Sequence, residues 1–248
     1  MLRFAISVAC IAIPMMAQTA VIQPETPNSA TETRTFALQS GGSLKISNVD
    51  GDISISAWDK NEVAFTAKFV PSSSKEHMRV EIQSAQNSLV INAKQPESDK
   101  RRPLGGKQAS CQMELKVPRK LIGLFKTVDG SIILDSISGD NRAETVDGAI
   151  SFKNIQGIFA ASSVDGNIKG SHSGPEDGME LSTVDGNIEV KLQNPRGSLE
   201  ASCVDGSVKL NAPGASNLQT SKRKVSATFG QGGQAIKLRT VDGSIVIN

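Results

Sequence analysis

Tyrosine is absent from the 248-residue chain, tryptophan occurs once and phenylalanine eight times. So few rings leave little to fill a thick globular core and little to stack on sugars or bases. Charge of one sign is also missing: 27 Lys and Arg against 25 Asp and Glu give a formal net charge of +2. That balance, with no surface pattern of alternating aromatic and basic residues, speaks against nucleic acid as a partner. Histidine occurs twice, as His77 and His172, with no companion residues at metal-ligand spacing. A nucleophile elbow (Gly-x-Ser-x-Gly) and a phosphate-cradling glycine loop are both missing. No cofactor and no metal are expected, and no catalytic residue is assigned. The expectation is a non-enzyme.

Cysteine is scarce too: Cys10, Cys111 and Cys203. Residues 1–17 read as a signal peptide, with Arg3 as the positive region, an apolar stretch from Phe4 to Met16 broken by Pro14, and Ala17 as the small cleavage residue. That stretch is too short to span a membrane, and no later one is long enough, so the mature chain carries no transmembrane segment. Cys10 lacks the leucine-like residue three positions before it that a lipoprotein signal uses. Export permits disulfides. Whether Cys111 and Cys203 pair stays open, because connectivity is not readable from sequence. The expected location is the periplasm, the outer surface or the exterior.

What the chain has in quantity is Gly, 22 residues, and one tripeptide. Val-Asp-Gly appears at 49–51, 128–130, 146–148, 164–166, 184–186, 204–206 and 241–243. From the second copy on, the steps are 18, 18, 20, 20 and then 37 residues. Each unit reads apolar-x-apolar-x-Thr-Val-Asp-Gly-x-Ile-x-apolar followed by a turn. The long step hides a degraded copy, in which Leu218, Thr220, Ser221-Lys222-Arg223 and Val225 take the places of Leu181, Thr183, Val184-Asp185-Gly186 and Ile188.

Two architectures accommodate the unit. Asp-Gly between alternating strands is a hairpin signal, which would make an up-and-down antiparallel meander. A fixed period with one equivalent position per unit is instead the mark of a stacked array. The period favours the second: an all-β, parallel β-solenoid of coils about 18–20 residues long. In it Ile132, Ile150, Ile168, Ile188, Val208, Val225 and Ile245 form one interior row. Thr127, Thr145, Ser163, Thr183, Cys203, Thr220 and Thr240 form another beside the corner.

The organisation expected is a signal peptide (1–17), a flexible polar leader (18–34), an N-terminal β region (35–118) and the solenoid (119–248). The N-terminal region holds one early repeat copy, then period-two apolar sets at Val63–Phe69, Val80 and Ile82, Leu89–Ala93 and Met113–Val117. Residues 72–78 suggest a single helical turn. Residues 96–110 form a long loop with Lys100, Arg101, Arg102 and Lys107.

Taken together, the Val-Asp-Gly-x-Ile repeat, the opening strand–Asp-Gly–strand copy, a middle strand ending in Val117-Pro118 and the signal peptide resemble the bacterial candidate-adhesin family. These are exported domains of unknown function with β-strand repeats. The resemblance spans about residues 41–248. It implies a right-handed solenoid-like fold in the envelope or at the cell surface, and it brings no catalytic residues.

The column of corner residues is the one feature that invites chemistry: Asp50-Gly51, Asp129-Gly130, Asp147-Gly148, Asp165-Gly166, Asp185-Gly186, Asp205-Gly206 and Asp242-Gly243. Stacked carboxylates bind cations or act in pairs as acid and base. The structural reading is that Asp caps the bend through backbone N–H groups and Gly supplies positive φ. Lys222 in the degraded copy stands in the Asp position, which breaks any ion ladder. Lys222, Arg223 and Lys224 with the 96–110 cations are the positions expected to contact other molecules. The expected function is presentation of an interaction surface to an envelope or surface macromolecule. The alternatives are a regulatory partner of a membrane protein reached through the 96–110 loop, and a carbohydrate-active enzyme. The strand ending at Ile247 lacks a capping unit, so self-association through that edge is also expected.

Overall fold

The computed structural model describes residues 18–22, 31–70, 78–94, 110–174 and 177–248. The signal peptide, residues 72–77 of the expected helical turn and all four cations of the 96–110 loop therefore lie outside the described residues. The first part of the chain forms β1 (Gln18–Ile22), β2 (Thr31–Ala37), β3 (Gly42–Ser47), β4 (Ile53–Trp58), β5 (Glu62–Val70), β6 (Arg79–Ala85), β7 (Ser88–Lys94) and β8 (Ser110–Pro118). The repeats form β9 (Lys120–Lys126), β10 (Ile132–Asp135), β11 (Ser138–Glu144), β12 (Ile150–Ile155), β13 (Phe159–Ser162), β14 (Ile168–His172), β15 (Met179–Asp185) and β16 (Ile188–Leu192). The chain closes with β17 (Gly197–Asp205), β18 (Val208–Leu210), β19 (Ala215–Thr220), β20 (Lys224–Phe229), β21 (Ile236–Asp242) and β22 (Ile245–Ile247).

These strands make two facing sheets. One has 12 strands in the order β1-β6-β7-β3-β9-β11-β13-β15-β21-β17-β20-β19. The other has 10, in the order β18-β22-β16-β14-β12-β10-β4-β8-β5-β2. Each Val-Asp-Gly lies between a strand of the first sheet and a strand of the second, so every unit is one coil and coils pair in parallel. This is the solenoid rather than the meander. Alternation explains the interior: in β15 Met179, Leu181 and Thr183 are buried while Glu180 is exposed. Burying each such aliphatic side chain contributes about 1.5–3 kcal/mol. The N-terminal region and the repeats share one core and both sheets, joined where β3 pairs β9 and β4 pairs β10.

Three expectations are corrected, and the open question of the two cysteines is answered. The leader is not wholly irregular: Gln18–Ile22 pairs antiparallel with β6 and Thr31–Ala37 with β5. Pairing onto a sheet edge satisfies backbone groups and needs no apolar period, which is why the polar sequence hid it. The supposed degraded coil is an antiparallel hairpin, β19–β20, with β20 paired antiparallel to β17. Val225 accordingly faces Ala201 and leaves the isoleucine row, while Leu218 is 52% exposed. The last strand is not an edge, because β22 sits between β16 and β18. Finally, both cysteines are free and buried. Cys111 lies against Gly51 in the first coil and Cys203 in the coil of Asp205 at the far end of the column, so several strand spacings of about 4.8 Å separate them.

The coil stack has a lid at this far end. Val225, Ala227 and Phe229 of β20 turn inward and are buried, closing the interior beyond β17. Stacked repeats require such a cap, and this chain builds it from the segment whose apolar spacing imitates a coil.

Candidate interaction surface

At five of the corners a buried hydroxyl of one coil donates to the glycine carbonyl of the neighbouring coil, Thr127 to Gly51 being the first of them. Thr145 reaches Gly130 at 3.0 Å, Ser163 reaches Gly148 at 3.0 Å, Thr183 reaches Gly166 at 2.9 Å and Thr240 reaches Gly186 at 2.9 Å. Asn48 opens the row, donating to the carbonyls of Gly51 and Cys111. Glycine is required mainly because coils approach so closely. A Cβ on Gly166 would lie 1.9 Å from the Gly148 oxygen, and one on Gly206 would lie 2.0 Å from that of Gly243. Left-handed backbone adds to the requirement at Gly51 (φ +119) and Gly206 (φ +139), whereas Gly148, Gly166 and Gly186 have no such φ. Positive φ is thus only part of the reason for these glycines.

The bend's N–H groups are met by backbone. Gly130 N–H donates to Asp147 O at 3.0 Å and Asp147 N–H to Val128 O at 2.9 Å, and the pattern repeats from coil to coil. From Asp129 onward the carboxylates are therefore left over for the surface, whereas Asp50 in the first coil is buried. They stand in register as Asp50, Asp129, Asp147, Asp165, Asp185, Asp242 and Asp205, one per coil. No lysine interrupts this column, contrary to the sequence expectation. Lys222 belongs to the hairpin turn, where its carbonyl accepts from Val208 N–H at 3.0 Å. Arg223 Nη2 reaches Asp205 Oδ1 at 3.1 Å and finishes the column, and Lys224 pairs with Glu200 at 3.2 Å. Two of the three cations in the expected basic spot are thus matched by acids.

Asp185 shows what the stacking does to a carboxyl group. Its pKa is raised by water lost to the neighbouring coils, then by the charges of Asp165 and Asp242 and hydrogen bonds shared with them. Its side chain nevertheless remains exposed. Beside the acids runs a row of valines, Val128, Val146, Val164, Val184, Val241 and Val204, each at least 40% exposed. Among the described residues no group of three or more His, Cys, Asp or Glu has the arrangement to hold a metal ion. His172 is buried, with Nε2 3.0 Å from the Gly157 carbonyl.

A concavity lies elsewhere, on the outer face of the second sheet. A groove of about 550 Å³ crosses β10, β12, β14 and β16, bordered by Ile133, Lys153, Lys169, Ser171, Glu189 and Lys191 and reaching Asn248. It lies beside the register shift between β12 and β14 at Phe152 and Ile155, and Gly170, with Phe152 packed close over it, lines it. Ile133 is 46% exposed there. Lys169 pairs with Glu189 at 2.8 Å. A second groove of about 320 Å³ on the same sheet is lined by Trp58, Thr33, Thr66, Glu114 and Lys116. Neither groove is evident from the repeat, because outward positions vary from coil to coil; the available signal is an Ile, Ile133, in a slot that holds Ser54, Ser151, Lys169, Glu189 and Lys209 in other coils and an aliphatic residue again only at Val246.

In its two facing sheets this fold matches solved structures across most of its length. One is described as a candidate cell adhesion protein from Clostridium sporogenes, with 12% identity, a TM-score of 0.52, and coverage of 88% of this chain and 98% of that one. Another, described as a candidate adhesin from Bacteroides fragilis, has 12% identity, a TM-score of 0.42, and coverage of 89% and 97%. At these identities the first likeness is one of fold. No curated protein matches the sequence. No helix among the described residues is long and apolar enough to cross a membrane. The family model for Toastrack DUF4097 matches residues 123–248, which hold six of the seven Val-Asp-Gly corners, and the chain belongs to that family.

Proposed function

We propose that the protein is exported and non-enzymatic, and that it presents an adhesin-like interaction surface in the bacterial envelope or at the cell surface. The observation that carries this reading is the groove across β10, β12, β14 and β16. Four successive coils contribute to it from strands held in register, so its shape is preset. A site on rigid strands loses little order on binding, which favours recognition. The signal-peptide pattern at residues 1–17 supports export. Fold alone assigns no function, so the groove rather than the solenoid is the object of the test.

The experiment uses labelled mature chain starting at Gln18, titrated onto intact bacterial cells and isolated envelopes. Saturable binding is expected, weakened at least tenfold by Ile133→Asp with Lys153→Glu and Lys191→Glu in a chain of unchanged melting temperature. Undiminished binding by the variant would move the surface elsewhere. No saturable binding to any cell or envelope would overturn the reading. A glycan-hydrolysis assay addresses the non-enzymatic part: turnover that disappears in Asp147→Asn with Asp165→Asn contradicts it.

A further inference from the structure

The coil that comes last in sequence is not last in the stack. The chain runs from β16 directly to β17, yet β21 lies between β15 and β17, and β22 between β16 and β18. One coil-sized slot is left open between consecutive coils and is filled later by residues 236–247. Ile236, Leu238, Thr240, Ile245 and Ile247 of this segment are all buried. Both of its edges are paired, Leu238 with Leu181 and with Ala201, and Ile245 with Ile188 and with Val208.

The slot is selective. Its occupant must place a hydroxyl against the Gly186 carbonyl, as Thr240 does at 2.9 Å. Three residues on it must have glycine, because a Cβ on Gly243 would lie 2.0 Å from the Gly186 oxygen. Gly206 then closes on the Gly243 oxygen at the same 2.0 Å. A Thr- or Ser-Val-Asp-Gly-x-Ile unit meets these conditions, and residues 240–245 of the chain itself supply it.

The tether is a six-residue crossing, Gly-Gln-Gly-Gly-Gln-Ala at 230–235. It passes over the start of β17: Phe229 pairs with Gly197 on one side, and Ile236 with Leu199 on the other. Gly230, Gly232 and Gly233 all have left-handed φ, at +53, +75 and +83. A Cβ on Gly233 would meet the Arg196 oxygen at 2.5 Å. The closed crossing thus depends on glycine, whereas an extended tether of six residues reaches about 20 Å and makes no such demand.

We propose that residues 236–247 exchange between two copies of this chain, each filling the other's slot, to give a reciprocally swapped dimer. Contacts inside the slot are the same in both forms, so the balance rests on the tether and on the entropy of association. The partner is a second copy because it alone brings the matching unit in the matching register.

The test uses the mature chain with Cys111→Ala and Cys203→Thr, carrying either Ser202→Cys or Arg239→Cys. These two positions are register partners across β17 and β21. The two proteins are mixed, warmed to just below the unfolding transition, cooled and oxidised. Exchange gives a disulfide dimer of one chain of each kind, at least tenfold more abundant than either like pair. Gly232→Val with Gly233→Val should raise the dimer fraction at least fivefold by light scattering. Unlike pairs no more abundant than like pairs, with Ser202→Cys/Arg239→Cys in a single chain still locking internally, would overturn the proposal. Should the glycine variant precipitate, the cysteine result decides alone.

Discussion

The Thr240 hydroxyl donates to the Gly186 carbonyl at 2.9 Å across a sequence separation of 54 residues. The same bond closes other corners, but Cys203 occupies the equivalent place in the terminal coil and has no hydroxyl for the Gly243 carbonyl. Thr240→Val is expected to lower stability by about 1 kcal/mol, and Cys203→Thr to raise it by up to about the same amount. Urea denaturation of both variants measures this. A Cys203→Thr protein no more stable than the parent would show that the hydroxyl row contributes shape rather than bonding.

Corner glycines should be far less replaceable than turn glycines. In Gly166→Ala the new methyl would lie 1.9 Å from the Gly148 oxygen, and neither backbone can retreat without breaking the sheets. A loss of about 3 kcal/mol or more is expected. Gly214→Ala meets nothing within 4 Å, and only its φ of +83 opposes the change. That strain is worth about 1–2 kcal/mol. Thermal melts that rank the two variants in the opposite order would remove close approach as the reason for the repeat's glycine.

Much of this architecture was legible because the unit is local. A small polar residue, Gly and an aliphatic residue at fixed offsets specify a corner and the strands on either side, and the central Val-Asp-Gly recurs seven times. Coil order was not legible for the same reason. Asp185 pairs as well with Asp242 as Asp205 does, so the repeat carries no record of which coil neighbours which. The hairpin at 215–229 did leave a trace. Arg223 stands where glycine belongs, and no residue with a Cβ fits beneath a stacked glycine carbonyl, so the segment had no means of making a corner. The groove at Ile133 lies beside a bulge between Phe152 and Ile155 that alternation of residues does not reveal.

Through Asp185 the acid column should make stability fall as pH rises above the ordinary aspartate range. Asp185 has a pKa raised in the folded state, so the native chain holds a proton there over a window in which the unfolded chain has lost it. Stability contributed by that proton is present at low pH and declines as pH rises through the raised value. Glu144 works the other way. Partial burial raises its pKa, but hydrogen bonds and charge from Lys126 and Arg142 outweigh that and lower it, so its contribution is lost as pH falls. Asp185→Asn is expected to melt higher than the parent at pH 7, with the gap narrowing towards pH 4 and with added salt. A gap independent of both would mean that the carboxylates do not repel.

The lid over the last coil divides apolar from ionic contributions. Phe229 is buried at 1% exposure under the hairpin. Arg223, by contrast, forms its 3.1 Å pair with Asp205 in open solvent, the two side chains being 56% and 71% exposed. Phe229→Ala should lower stability by about 3–5 kcal/mol, because the cavity lies at a site backed by β17 that has little room to collapse. Arg223→Ala should change it by less than about 0.5 kcal/mol, as exposed pairs do. Loss of the lid also uncovers the interior and the outer edge of β17, so the Phe229→Ala protein should associate at concentrations where Arg223→Ala stays dispersed. Light scattering beside the melts separates these outcomes. Equal behaviour of the two variants would mean that the hairpin is held by its charges and that the stack needs no cap at this end.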